Sequence, residues 1–196
     1  MGKIVFIMGK SATGKDTIYK KISEDMQDAL KQIIPYTTRP IRSGEVEGVD
    51  YHYVEEATFQ KLLEDNKIIE HRGYNTVHGL WRYFTVNDMV MNVDKYDYIT
   101  VGTLEAYESV RNYFGKEYVL PIMVVVEAGE RMQRALTREK QQAQPKFEEL
   151  CRRYLADNKD YSDEKIQELE ITDFFENADL DTCVKAIKEY IKEKLN

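Results

Sequence analysis

Five consecutive apolar residues, Ile4-Val5-Phe6-Ile7-Met8, are followed by a glycine-punctuated polar stretch and then by apolar residues at Ile18, Ile22, Met26 and Ala29. The run predicts a buried strand, and the three-to-four-residue recurrence predicts an amphipathic helix. Over 35–54 the pattern breaks up. Pro40, Gly44 and Gly48 mark turns there, while neighbouring Thr, Tyr and Val residues favour short strands. Residues 55–66 read as a helix with Phe59, Leu62 and Leu63 on its apolar side, and Ile68-Ile69 begins another extended piece. Strand character returns at 98–101 and 120–126, separated by helical sequence around 103–114; the second run suits a central parallel strand. From 127 to about 160 the chain is charged and helical, divided at Pro145, with Phe147, Leu150, Cys151, Tyr154 and Leu155 recurring on one face that is expected to pack. A last helix is predicted over 180–195, its buried stripe being Val184, Ile187, Ile191 and Leu195.

Strands alternating with helices predict an α/β fold: a mostly parallel sheet covered by helices on both faces. The expected organisation is one domain over 1–196, with a core from 1–34, 87–126 and 160–196. A small, partly antiparallel lobe (35–86) and a helical segment (127–159) are inserted into it. The length of 196 residues and 42% hydrophobic content suffice for such a core. A formal net charge of −7 argues against nonspecific binding to nucleic acid or anionic membrane through the global field. Cys151 and Cys183 form no disulfide framework or metal-ligand motif, and both are expected to be buried thiols of an intracellular protein. The short N-terminal apolar run lacks a signal-peptide pattern and no segment approaches a membrane span, so a cytoplasmic location is expected.

The polar stretch after the first strand carries the sharpest chemistry. Gly9-Lys10-Ser11-Ala12-Thr13-Gly14-Lys15-Asp16-Thr17 has P-loop spacing, in which backbone N–H groups curl around a phosphate and Lys15 reaches the outer phosphates. The following helix adds its positive end. Where this motif usually places a hydroxyl, the chain has Asp16, with Thr17 one residue later. Asp16 can serve magnesium, which takes hard oxygen ligands, or can simply be an acidic residue favoured in a first helical turn.

Two arginine groups have the residue types for anion binding. Arg39 and Arg42, near two turn glycines and Tyr51, can grip a phosphate by charge-assisted hydrogen bonds or can be solvated surface charges. Arg131, Arg134 and Arg138 share one helical face and can neutralise a transferring phosphate, or can form salt links with Glu127, Glu130 and Glu139.

Taken together, these pieces resemble the guanylate kinase family, nucleoside monophosphate kinases with a P-loop core. The most specific match is Thr37-Thr38-Arg39-Pro40, Arg42, Gly44-Glu45, Gly48, Asp50-Tyr51 and Val54, in the spacing of the family's GMP-binding segment. The resemblance implies a P-loop nucleoside triphosphate hydrolase-like core, with 35–86 the acceptor-binding lobe and 127–159 the lid. It implies transfer of a phosphoryl group from ATP with Mg²⁺ to GMP. Gly9, Ser11, Ala12, Thr13, Gly14, Lys15, Asp16 and Thr17 would bind ATP, and Arg39, Arg42, Tyr51 and Tyr83 the acceptor phosphate. Glu70 would read guanine, Arg134 and Arg138 would act catalytically from the lid with Lys15 and Arg39, and Arg153 would be a further lid residue. Phe175-Glu176-Asn177-Ala178-Asp179-Leu180 resembles the late segment near the nucleotide base. Partners are then ATP and a nucleoside monophosphate, with neither nucleic acid nor membrane, in a monomer or homodimer.

Three departures weaken base readout more than phosphate binding. Pro35 stands where the family commonly has serine, the usual tyrosine-glycine-threonine contact is stretched into His78-Gly79-Leu80-Trp81-Arg82-Tyr83-Phe84-Thr85, and Ile99-Thr100-Val101-Gly102-Thr103 lacks the expected acid. They keep open a kinase for another phosphorylated small molecule or modified nucleotide. A non-catalytic interaction module on the same fold is the other alternative.

Overall fold

The computed structural model describes residues 2–42, 44–76, 79–87 and 95–195. Met1, Ser43, His78, 88–94 and Asn196, which fall within the predicted lobe and core ranges, lie outside the described residues, as does residue 77. Strand β1 (Ile4–Met8) leads through the glycine loop into α1 (Lys15–Asp25), which is followed by β2 (Leu30–Gln32). The lobe contributes β3 (Tyr36–Thr37), β4 (His52–Tyr53), α2 (Glu56–Glu64), β5 (Ile68–Thr76) and β6 (Gly79–Val86). The chain then returns through β7 (Asp97–Gly102), α3 (Leu104–Phe114) and β8 (Val119–Val125). Helices α4 (Ala128–Lys140) and α5 (Phe147–Asp160) follow, then α6 (Asp163–Glu168), β9 (Phe174–Glu176) and α7 (Leu180–Leu195).

The core sheet is parallel throughout, in the order β2-β7-β1-β8-β9. Strand β1 is central, and its two-residue alternation divides the core. Ile4, Phe6 and Met8 pack with Leu104, Tyr107 and Val110 of α3 and with Tyr161, while Val5 and Ile7 pack with Ile18 and Ile22 of α1 and Ile187 and Ile191 of α7. Helices therefore cover both faces, as a fully buried parallel sheet requires. A second sheet, β4-β3-β6-β5, is antiparallel except for the β3–β4 pair, and Phe59 of α2 buries itself against Phe84 and Val86 of β6. The α/β class with a parallel P-loop-type core is thus the observed architecture. Among the described residues no helix is long and apolar enough to cross a membrane.

Several local expectations are corrected. The first helix stops at Asp25, so Met26 and Ala29 lie in the turn that launches β2, where Met26 is buried without being helical. Strand β2 was not legible because an edge strand of sequence Leu30-Lys31-Gln32 buries only Leu30. Leu63 is exposed, since one fully buried Phe59 with a partly buried Leu62 suffices to anchor the short α2. On α5 the apolar face is largely open. Leu150 is buried, but Phe147, Leu155 and Cys151 are exposed, because α5 packs on α4 rather than on the sheet. Cys183 is buried as expected, and both cysteines are free thiols. Helix α6 and strand β9 were not anticipated, being one-and-a-half turns and three residues long.

Candidate functional site

The loop from Gly9 to Gly14 leaves the carboxyl end of the central strand, the position at which open α/β sheets bind ligands. Two glycines are required by geometry. A Cβ on Gly9 would lie 2.5 Å from the Val124 carbonyl oxygen and 2.9 Å from Thr13 Oγ1. Gly14 has φ of +84° and would place a Cβ 2.5 Å from Asn177 Nδ2, so it combines a left-handed turn with close approach. Ala12 also adopts a positive φ of 66°. Thr13 is buried, and its hydroxyl donates to the Lys10 carbonyl at 2.9 Å, closing the loop on itself. Lys15 opens α1 with its ammonium 3.1 Å from Asp16 Oδ2, while Asp16 and Thr17 are exposed.

Loop amides are held by groups that sequence reasoning did not single out. Ser11 N–H donates to Asp157 Oδ2 on α5 at 2.7 Å, and Gly9 N–H donates to the buried Tyr161 hydroxyl at 3.3 Å. A carboxylate oxygen on a loop N–H makes the same charge-assisted bond that a phosphate oxygen makes. Arg131, 3% exposed, fixes this carboxylate: its Nη1 lies 3.3 Å from Asp157 Oδ2, its Nη2 donates to Asn158, and its guanidinium stacks 3.8 Å from the Tyr154 ring centre. Asn177, also buried, donates from Nδ2 to the Thr13 carbonyl at 2.8 Å. Burial pushes the Tyr161 phenol upward, so it remains a neutral hydroxyl.

The predicted lid arginines divide into distinct environments. Arg134 donates to Glu130 at 2.8 Å and to the Asn177 carbonyl at 3.0 Å, which ties α4 to the segment before α7. Arg138 is exposed and lines, with Ser11, Glu139 and Arg153, a shallow hollow between α4, α5 and the loop. Arg153 lies 3.5 Å from Glu139 Oε2 and donates to the Glu149 carbonyl. Arg131 was recognised as sharing the helical face, yet its burial could not be read from a spacing that all three arginines share.

On the lobe, register decides the arrangement. Thr37 pairs with Tyr83 across β3–β6, and Thr38 exchanges backbone and hydroxyl bonds with Arg82, so Arg39 emerges beside the Tyr83 ring. Arg39 is 3% exposed. Its Nη atoms donate to both oxygens of Glu45 at 2.7 and 2.6 Å, and Nε donates to the Tyr83 hydroxyl at 3.1 Å. Its guanidinium also lies 5.0 Å from the Tyr51 ring centre and 5.5 Å from that of Tyr53. Arg39 is therefore not a solvated surface charge but a fixed one inside a tyrosine cage. Arg42 is exposed, its backbone N–H held by Glu45 at 2.8 Å. Burial opposes the Arg39 charge, but the bonds to Glu45 and Tyr83 outweigh it and raise its pKa. The Arg39 bond is the main cause of a Glu45 pKa depressed to about 2, and burial followed by the Glu45 bond pushes the Tyr53 phenol up to about 12.

This depression fixes a pH dependence. Glu45 has a folded pKa of about 2 against an ordinary 4.5, so its contribution is full above pH 4.5 and is lost as pH falls toward 2. Denaturation followed through the single Trp81, on β6 of the same sheet, is expected to show wild type more stable than Glu45→Gln at pH 6, with the gap closing by pH 2.5. A gap constant over that range would rule out the Glu45 ion pair as its source.

An ion pair joins the lobe to the helix that follows the loop. Lys20 of α1 binds Asp50 at 2.8 Å, beside Tyr51. Burial chiefly raises the Tyr51 phenol, with Asp16 adding to the rise and Arg39 and Arg72 opposing it, so the ring feels groups from both sides. Glu70 is 6% exposed and accepts the Thr85 hydroxyl at 2.8 Å.

A family model described as guanylate kinase matches residues 1–194. Guanylate kinase from Schizosaccharomyces pombe (strain 972 / ATCC 24843) is 41% identical over 68 residues, 35% of this chain; the match spans about a third, 34%, of that relative's length. The crystal structure of guanylate kinase from Anaplasma phagocytophilum is similar with a TM-score of 0.68 at 21% identity, over 99% of this chain and 86% of that chain, a likeness of fold. With the family model spanning nearly the whole sequence, the chain belongs to the guanylate kinase family.

Proposed function

We propose that this protein transfers the γ-phosphoryl group of ATP to the 5′-phosphate of a nucleoside monophosphate, with GMP giving GDP as the principal reaction. The observation that carries this reading is that the glycine loop with Lys15 and the Tyr51–Arg39–Tyr83 cluster are both tied to α1, the loop by opening it and the cluster through the Lys20–Asp50 ion pair. In-line attack by an acceptor phosphate oxygen on the γ-phosphorus forms one P–O bond as the bond to the β-phosphate oxygen breaks. No protein nucleophile is needed. The protein aligns two mutually repelling anions and stabilises charge on the transferring group. Lys15 and the loop amides hold the donor, Tyr51 and Tyr83 with the Arg39 charge and Arg42 hold the acceptor phosphate, and Arg134 and Arg138 face the charge between them. Arg153 assists from α5. Asp16, its carboxylate 71% exposed and 3.1 Å from Lys15 Nζ, would offer magnesium one hard oxygen ligand, with the exposed Thr17 hydroxyl next in sequence and the remaining ligands coming from phosphate and water. Bound with ATP, magnesium supplies charge neutralisation at the phosphate oxygens.

A coupled measurement of ADP release across GMP, dGMP, AMP, CMP and UMP tests the proposal. GMP is expected to give the highest kcat/KM, because the buried Glu70 accepts hydrogen bonds from guanine N1–H and the exocyclic amine, which adenine does not offer in that arrangement. Absence of turnover with every nucleotide by folded, ATP-binding protein would reject the reading. A product from another phosphorylated acceptor alone would favour a second assignment, for which Pro35 and the acid-free segment Ile99-Thr100-Val101-Gly102-Thr103 are the supporting observation.

A further inference from the structure

The acceptor reading leaves one largely enclosed charge without a task. Arg72 lies two residues beyond Glu70 on β5, so both side chains leave the same face of the strand. The pair is enclosed: the Arg72 side chain is 13% exposed and that of Glu70 3%, with Arg72 Nε 3.3 Å from Glu70 Oε2. This contact is an ion pair without hydrogen-bond geometry, and Nε is one of two buried side-chain polar atoms lacking a partner among the described residues. Nη1 donates to Thr103 Oγ1. Thr103 is the first residue after β7 and caps α3, so Arg72 crosses from the lobe to the carboxyl end of the core sheet. Its charge is felt by Tyr51 on the lobe, by Tyr74 on the same β5 strand and by Tyr161, which holds Gly9 N–H of the glycine loop.

A largely enclosed guanidinium with one terminal nitrogen on a threonine, and an Nε that makes no hydrogen bond within its ion pair to Glu70, is over-supplied with donors for a purely structural part. An arginine side chain carries five N–H groups and no acceptor. Beside it, Glu70 offers only acceptors. A ligand edge that satisfies the two together must present donors to the carboxylate and, next to them, acceptors to the guanidinium. Among the common bases guanine does so on adjacent edges: N1–H and the exocyclic amine are donors, while O6 and N7 form the acceptor pair that arginine reads bidentately. We propose that Arg72 is a specificity-determining residue of the acceptor site, reading the O6/N7 edge of guanine while Glu70 reads N1–H and the amine. It supplies polar base contacts that Pro35 and the acid-free segment Ile99-Thr100-Val101-Gly102-Thr103 do not. This inference rests on the nucleoside monophosphate reading above.

The test uses GMP, IMP, which keeps O6, N7 and N1–H but lacks the amine, and 2-aminopurine riboside 5′-monophosphate, which keeps the amine and N7 but lacks O6 and N1–H. Wild type is therefore expected to bind the last of these less well, and only the further effect of each variant is compared. Arg72→Met is expected to lower kcat/KM for GMP and IMP about 10- to 100-fold and to change that for the 2-aminopurine nucleotide less than about threefold. Arg72→Lys restores a charge but not the fork, so it is expected to recover only part of the GMP loss. It also serves as the informative variant if Arg72→Met does not fold. Equal losses for all three nucleotides in both variants would overturn the proposal, leaving Arg72 a structural or phosphate-facing charge. Direct binding, by calorimetry for GMP and by fluorescence for the 2-aminopurine nucleotide, separates this outcome from failure of the functional reading. Wild type that binds GMP without turning it over, with binding weakened selectively by Arg72→Met, supports the Arg72 assignment and rejects the kinase activity. Wild type that neither binds nor phosphorylates any of the three overturns both.

Discussion

Lys15→Ala is expected to reduce phosphoryl transfer on the order of 1,000-fold while leaving the melting temperature within about 3 °C of wild type. The asymmetry follows from where the residue sits. Its side chain is 18% exposed, at the first position of α1, and among the described residues it ion-pairs with Asp16, whose side chain is 71% exposed. A solvent-facing pair of this kind contributes about 0–1 kcal/mol to stability. In the proposed reaction the same ammonium would lie against donor phosphates at a helix N-terminus, where the stabilisation it gives grows as charge shifts in the transition state. ADP release and a thermal melt on the same preparation check both halves. Turnover near that of wild type would remove the glycine loop from the donor site.

Arg131→Ala is the change expected to cost most in stability, about 3 kcal/mol, because it leaves a largely buried carboxylate without its counter-charge. Arg131 and Asp157 have side chains 4% and 18% exposed, and Asp157 simultaneously accepts Ser11 N–H. Removing the arginine therefore strands Asp157 and vacates the stacking partner of Tyr154. The double variant Arg131→Ala/Asp157→Ala removes both charges and is expected to cost less than the sum of the singles, as contacting residues in one network do. Denaturant unfolding of the four proteins of this cycle measures the coupling. Additive losses would show that Arg131 acts through packing on Tyr154 instead. The cycle also reports on function, since Ser11 N–H is one of the amides proposed to meet the donor phosphate.

Local pattern determined the α/β class, the strand–loop–helix order of the glycine loop, and the bounds of the last helix. These depend on neighbours within a few residues: an apolar run that must be buried, a 3.6-residue stripe, and a glycine at Gly14 whose φ is +84°. The candidate phosphate residues were legible for the same reason, as residue types at short spacing. What spacing could not contain was which charge is free and which is spent. Arg39 emerges inside a tyrosine cage because Thr37 pairs with Tyr83, 46 residues away by register, and because Glu45 folds back on it. Asp157 meets Ser11 across 146 residues, and Arg72 meets Thr103 across 31. Arg131, Arg134 and Arg138 have one periodicity but three environments, since only Arg131 faces the α5 carboxylate and ring. Periodicity assigns a side chain to a face, whereas its charge, partners and exposure are set by whatever distant element closes over that face, and that closure exists only in the folded chain.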